Sequence, residues 1–131
     1  MGEAFTWGFA AGRDNPIGLR LEFKEGLDGH EALFVPREEH QGYAGIVHGG
    51  IIATIMDEAM GDHVYRLSGE KAPTARLELR YLKAVPIRQQ LRVVATVARR
   101  KGRMYETKGE LFLQDGSLAV EAAGKFFVVN N

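Results

Sequence analysis

Apolar and polar positions divide the chain into six short alternating runs and one long stretch that is apolar on most sides. Ile17, Leu19, Leu21 and Phe23 alternate with Gly18, Arg20, Glu22 and Lys24. That period of two predicts a strand with one buried face, entered through a turn at Asn15-Pro16. Gly26-Leu27-Asp28-Gly29 reads as a turn, and His30 to Val35 as a second strand ended by Pro36. A polar, glycine-rich loop, Arg37 to Val47, leads into a helix predicted from Gly49 to about Leu67 and closed by Ser68-Gly69. Ile51, Ile52, Ala53, Ile55, Met56, Ala59, Met60 and Val64 surround most of that helix. It needs a sheet wrapped around it, or a sheet on one side and a second chain on the other. Four more alternating runs follow: Ala75 to Tyr81 up to Pro86, Leu91 to Val97, Tyr105 to Leu113, and Leu118 to Val129. Lys101-Gly102 and Asp115-Gly116 mark hairpins between them. The order is strand, strand, long helix, four strands. This predicts an α+β fold with a largely antiparallel sheet, in one domain over residues 1–131.

Composition narrows the function. Formal net charge is zero, so nothing in bulk attracts nucleic acid or an anionic membrane. The chain has no cysteine, which removes disulfides, thiolate metal sites and a thiol nucleophile. Only Ser68 and Ser117 are serines, and neither lies in a Gly-x-Ser-x-Gly elbow. No phosphate-binding glycine loop is present. The residues from Met1 to Thr6 carry neither a basic region nor an apolar core. No secretory signal is expected, and the expected location is cytoplasmic.

The chemistry concentrates at the helix start. His48-Gly49-Gly50 opens the helix, and Asp57 follows the histidine by nine residues. A helix N-terminus presents unpaired N–H groups and partial positive charge, a place for a carbonyl oxygen that becomes negative. A helix acid buried without a partner costs several kcal/mol or shifts its pKa. One oxyanion place and one candidate base point to acyl hydrolysis through water. The structural alternatives run beside this. His48 orders the turn through a ring hydrogen bond. Gly49 and Gly50 serve turn geometry, the same freedom that lets a thioester approach the backbone. Thr54, Asp57, Glu58 and Gly61 form a stripe that a solvated face would also explain. Glu58, about 100° around the helix from Asp57, is the competing acid.

These residues give the chain its likeness. Val47-His48-Gly49-Gly50, the helix Ile51 to Ala59, Asn15-Pro16-Ile17-Gly18-Leu19 and Tyr81-Leu82-Lys83-Ala84-Val85-Pro86 resemble the hotdog-fold thioesterases, specifically the phenylacetate-pathway-like acyl-CoA thioesterases. The resemblance covers nearly the full length. It implies an antiparallel sheet around the long helix, and homodimers or homotetramers with active sites shared between protomers. It also implies hydrolysis of an acyl-CoA without metal or prosthetic group. By the same resemblance the Gly49 N–H polarises the thioester carbonyl, and Asp57 of the facing protomer activates water. Thr74 is the candidate for a hydroxyl that assists the water. Some members carry an asparagine six residues before the histidine; here that place is Gly42, and Gln41 beside it is the candidate substitute. Gly50 and Glu58 complete the expected substrate-binding set. Arg100 and Arg103 in the basic cluster at the Lys101-Gly102 hairpin, together with Lys83, are candidates for the CoA phosphates.

Two further expectations follow. His30, His40, Asp62 and His63 match no zinc spacing, so no metal and no cofactor are expected. The rival readings are a hotdog acyl-thioester hydratase or dehydratase, and a non-catalytic acyl-CoA-binding dimer.

Overall fold

The computed structural model describes residues 5–129; residues 1–4, part of the N-terminal reading above, and 130–131 lie outside the described residues. Six strands and one long helix follow the predicted order: β1 (Phe23–Gly26), β2 (Gly29–Phe34), α1 (Gly49–Ser68), β3 (Thr74–Tyr81), β4 (Leu91–Lys101), β5 (Met104–Phe112) and β6 (Leu118–Phe127). One antiparallel sheet, in the order β1-β2-β4-β5-β6-β3, holds all six. The sheet packs on α1, which touches β2 through β6. This is the hotdog arrangement.

The helix buries one face, Ile52, Ile55, Met56, Ala59, Met60, His63 and Val64. Strand residues Leu91, Val93, Ala95, Leu111, Val120 and Phe126 complete the core. Close approach of helix to sheet depends on glycine. A Cβ at Gly109 would stand 2.9 Å from Met56 Cε, and one at Gly124 would stand 2.7 Å from a Phe126 ring carbon and 3.2 Å from Met60 Cε. The helix ends on Gly69, left-handed at φ 75°, whose N–H donates to the Tyr65 carbonyl.

Two expectations are corrected. The run Ile17 to Glu22 is not a strand, although Leu19 and Leu21 are buried. Their N–H groups donate to the carbonyls of Phe9 and Ala10, outside the sheet. The Asn15 Oδ1 accepts from the Ile17 N–H, and Arg20 takes a positive φ of 56°, so the backbone is not extended. The strand after the helix stops at Tyr81, not at Pro86. The N–H groups of Leu82 and Lys83 still donate to the Ala119 carbonyl of β6; beyond them the chain pairs with the loop before α1: Val47 donates to the Val85 carbonyl and Ile87 to that of Gly45.

The buried polar residues include a cluster. Phe23, His30 and His63 stack in series, with ring centroids 5.2 Å apart at each step. Burial first, then the neighbouring His30, lower the His63 pKa against the opposing pull of Glu25 and Asp62.

Met60 lies fully buried over both close-approach glycines. Met60→Ala is expected to destabilise the fold by about 2–5 kcal/mol. Urea unfolding at fixed protein concentration should show a lower midpoint with an unchanged slope. An unmoved midpoint would show that this contact does not hold the helix to the sheet.

Candidate active site

The N-terminal end of α1 is built by the loop before it. Gln41 and Val47 form an isolated antiparallel bridge, and Ile46 bridges to Pro86. Gly45, at φ 80°, turns the chain between them. The Gln41 side chain closes this loop: its amide donates to the Glu38 carbonyl, and its oxygen accepts from the Gly45 N–H at 2.6 Å. Gln41 thus clasps the loop through one amide N–H and its oxygen. Gly42 packs on the histidine; a Cβ there would stand 3.1 Å from His48 Cα. A larger residue at 42 would push the loop off His48.

His48 is the N-cap of α1. Its Nδ1 accepts from the Gly50 N–H at 2.8 Å, which places the ring's proton on Nε2. Its carbonyl accepts from Ile51 and Ile52. His48 thus orders the turn, and the Gly50 N–H is spent on it. A Cβ at Gly50 would fall 3.1 Å from that same Nδ1, so the ring and a side chain compete for the space. The Gly49 N–H has no hydrogen-bond acceptor among the described residues. A Cβ at Gly49 would meet nothing closer than the Tyr81 hydroxyl at 3.7 Å. The fold tolerates a methyl group there, so packing within one chain gives no reason for glycine.

β3 reaches α1 at two points. The Tyr81 hydroxyl donates to the Gly49 carbonyl at 2.8 Å, and burial raises its pKa, keeping the phenol protonated as that donor role requires. At the other end the Thr74 hydroxyl donates to Asp57 Oδ1 at 2.6 Å. A bulge between Thr74 and Arg76 lies beside this contact. Asp57 Oδ2 is left to accept another proton. The structure thus brings Asp57 and Thr74 together, as it brings His48, Gly49 and Gly50 together. The two groups are eight residues apart on one helix, about 12 Å along its axis.

Lys83 lines a cavity of about 230 Å³ with Ile52, Tyr81 and Leu82, next to the start of α1. Arg100 and Arg103 line another, of about 400 Å³, at the opposite end of the helix with Leu67 and Ser68. Arg100 also lies over the Tyr105 ring and donates to the Gly102 carbonyl. The aromatic residues Phe5, Trp7, Phe9 and Tyr43 are exposed on the single chain.

Sequence reasoning missed two features. It gave Tyr81 no contact with Gly49, and it did not foresee that Gln41 closes the loop before the helix. The Tyr81-to-Pro86 motif was the available signal for the first. The second depends on loop closure, which spacing does not encode.

Glu58 lies half-buried without a hydrogen-bond partner among the described residues. Burial, then Asp62 and Asp57, raise its pKa above the ordinary 4.5. The folded value lies above the unfolded one, so this group's stabilisation is full below the unfolded pKa and is lost as pH rises through the folded one. Glu58→Gln should therefore melt higher than the parent at pH 7, with the gap closing as pH falls below about 4. Thermal melts across that range check it; a gap independent of pH would exclude titration as the cause.

Comparison with known proteins agrees with the geometry. The sequence profile of the thioesterase superfamily matches residues 44–120. An uncharacterized protein of Schizosaccharomyces pombe is 32% identical over 105 residues, which are 76% of this chain and 59% of that protein. The crystal structure of a thioesterase superfamily protein superimposes with a TM-score of 0.83 at 26% identity, over 95% of this chain and 61% of the other. A Bacillus halodurans protein solved with CoA gives a TM-score of 0.77 at 28% identity, over 86% and 76% of the two chains. The chain thus spans about three-fifths of the first two relatives, 59% and 61% of their lengths. With the profile matched across the helix, strands β3 to β5 and the start of β6, the chain belongs to the thioesterase superfamily.

Proposed function

We propose that the protein hydrolyses an acyl-CoA thioester to the free acid and CoA. The observation that carries this reading is the Gly49 N–H, left without an acceptor at a helix N-terminus whose next N–H is already taken. The CoA in the Bacillus halodurans relative supports the substrate class. The thioester carbonyl accepts from Gly49. Asp57 takes a proton from water through the oxygen that Thr74 leaves open, and the resulting hydroxide adds to the carbonyl carbon. The negative oxygen is held at the helix end, the C–S bond breaks, and the CoA thiolate leaves and takes up a proton.

Gly49 and Asp57 of one chain, about 12 Å apart, do not meet at one carbonyl. A general base acts within about 3 Å or through one water. We infer a homodimer in which Gly49 of one protomer faces Asp57 of its partner. Two features favour it. Among the described residues β3 pairs only with β6, which leaves an eight-residue strand edge open, and such edges are normally covered. Tyr81, Leu82, Ile46 and Tyr43 are exposed near the helix start. Helices antiparallel across a two-fold, in register at Gly49 and Asp57, carry the partner's Ser68 end about 16 Å past Gly49. Arg100 and Arg103 then stand where a CoA tail runs out, while Lys83 stays close to the thioester. Glu58, on another face, is not the base in this arrangement.

Thiol release from a panel of acyl-CoAs tests the reading. Asp57→Asn should lower kcat by about 100-fold to 10,000-fold with the fold retained, whereas Glu58→Gln keeps turnover. Near-normal turnover of Asp57→Asn would remove Asp57 as the base. Gly49→Ala, which the fold accommodates, should also collapse turnover by keeping the carbonyl off the helix end. Mixing the two inactive variants under exchange should restore about a quarter of the wild-type sites, because half of the dimers then hold one intact site. No recovery, with subunit exchange demonstrated, would sink the shared site.

A further inference from the structure

We propose that His30, His63 and Glu25 form a binding site for a divalent transition-metal cation of the zinc type. Asp62 acts as the carboxylate that orients His30. The site lies apart from the thioester chemistry and does not depend on it. His63 follows Asp57 by six residues, about 9 Å along the helix.

One donor atom from each residue lies within 4.8 Å of the other two. The donors come from three elements: Glu25 from β1, His30 from β2 and His63 from α1. Donor atoms in a tetrahedral zinc site stand about 3.4 Å apart, given bonds of about 2.0–2.1 Å.

His63 supplies the independent observation. Its side chain is nine-tenths buried, and its Nδ1 has no hydrogen-bond partner. A buried polar atom left in that state costs about 1–3 kcal/mol and needs a reason. A metal bond to Nδ1 itself gives one.

His30 is held as metal-bound histidines are held. Its Nε2 lies 2.6 Å from Asp62 Oδ2, and Arg66 braces Asp62 at 3.4 Å. A carboxylate on one ring nitrogen fixes the tautomer and the ring plane, so the other nitrogen is directed outward. That other nitrogen, Nδ1, faces Glu25 Oε1 at 2.9 Å. A carboxylate only accepts, so this contact holds a proton between the two atoms. The cation takes that proton's place: the proton leaves to solvent, and His30 Nδ1 and the Glu25 carboxylate become ligands.

The donor set selects the ion. Two imidazoles and one carboxylate suit zinc, cobalt or nickel; calcium and magnesium require oxygen donors. Glu25 is 70% exposed, so the site opens to water on that side, which gives an entry path and a fourth ligand. A bound cation would tie the β1–β2 hairpin to α1.

The test uses the full chain, untagged and stripped with EDTA. Titration calorimetry with zinc, and with cobalt followed by visible absorption, should give one ion per chain, and zinc should raise Tm. His63→Phe keeps a ring in the stack and removes both nitrogens. Glu25→Gln changes an exposed side chain and leaves the core intact. Each should weaken zinc binding by about 100-fold or more. No binding by the parent overturns the proposal. Equal affinity in the parent and Glu25→Gln also overturns it, since it would place the ion on other histidines.

Discussion

The hydrogen bond from the Gly50 N–H to His48 Nδ1 is the constraint on which the rest of the site depends. A helix N-terminus normally offers its free N–H groups in a cluster, and solvent or a capping side chain takes them without distinction. Here the cap takes the second and the His48 carbonyl takes the next two, leaving Gly49 alone. The ring reaches Gly50 only because neither Gly42 nor Gly50 has a side chain in its way. Gln41 and the 82–87 segment then hold the loop from both sides. The tripeptide is a directional device: the histidine aims and the glycines make room.

The same economy holds at the acid. A half-buried aspartate on a largely apolar helix carries a desolvation cost unless something offsets it. Thr74 offsets it through one oxygen and leaves the other open. Glu58 has no such partner, and its raised pKa records the difference. Two neighbouring carboxylates on one helix therefore have different characters. Asp57 is held in position, whereas Glu58 is penalised for being charged. A perturbed pKa alone points to Glu58, whereas position and partner point to Asp57.

Most of the fold was legible because its signals are local. The helix limits follow from His48-Gly49-Gly50 and Ser68-Gly69, and the hairpins from Lys101-Gly102 and Asp115-Gly116. The run at Ile17 misled because alternation reports which side chains are buried. It does not report which backbone groups pair. Leu19 and Leu21 are buried in the core, but their N–H groups donate to Phe9 and Ala10. The loop contacts of Gln41 were illegible for a related reason, since its partners, Glu38 and Gly45, are set by how a loop closes. The cluster of Glu25, His30, Asp62 and His63 was hidden more completely. The sequence places Glu25 and His30 5 positions apart and His30 and Asp62 32 apart, in no recognisable pattern, and these residues meet only after β1, β2 and α1 have packed.

That cluster also bears on why a core would keep two histidines where leucines would pack. The N-terminal half of α1 keeps Gly49 unpaired and an acid half-buried, and neither feature stabilises the fold. Tyr81 and Thr74 tie this half to β3, an edge strand in which Leu77 and Leu79 are half-buried and no residue is fully buried. The C-terminal half is held differently. His30 joins a carboxylate of β1 to one of α1, the stacked rings fill the space between, and Arg66 braces Asp62 from outside. A leucine pair would fill the same volume but would fix neither the hairpin's register nor the helix's rotation. Rotation matters, because turning α1 by one residue's angle, about 100°, would exchange Asp57 for Glu58 opposite Thr74. A polar anchor at the far end of the helix thus protects the choice of acid at the near end, with or without a metal bound to it.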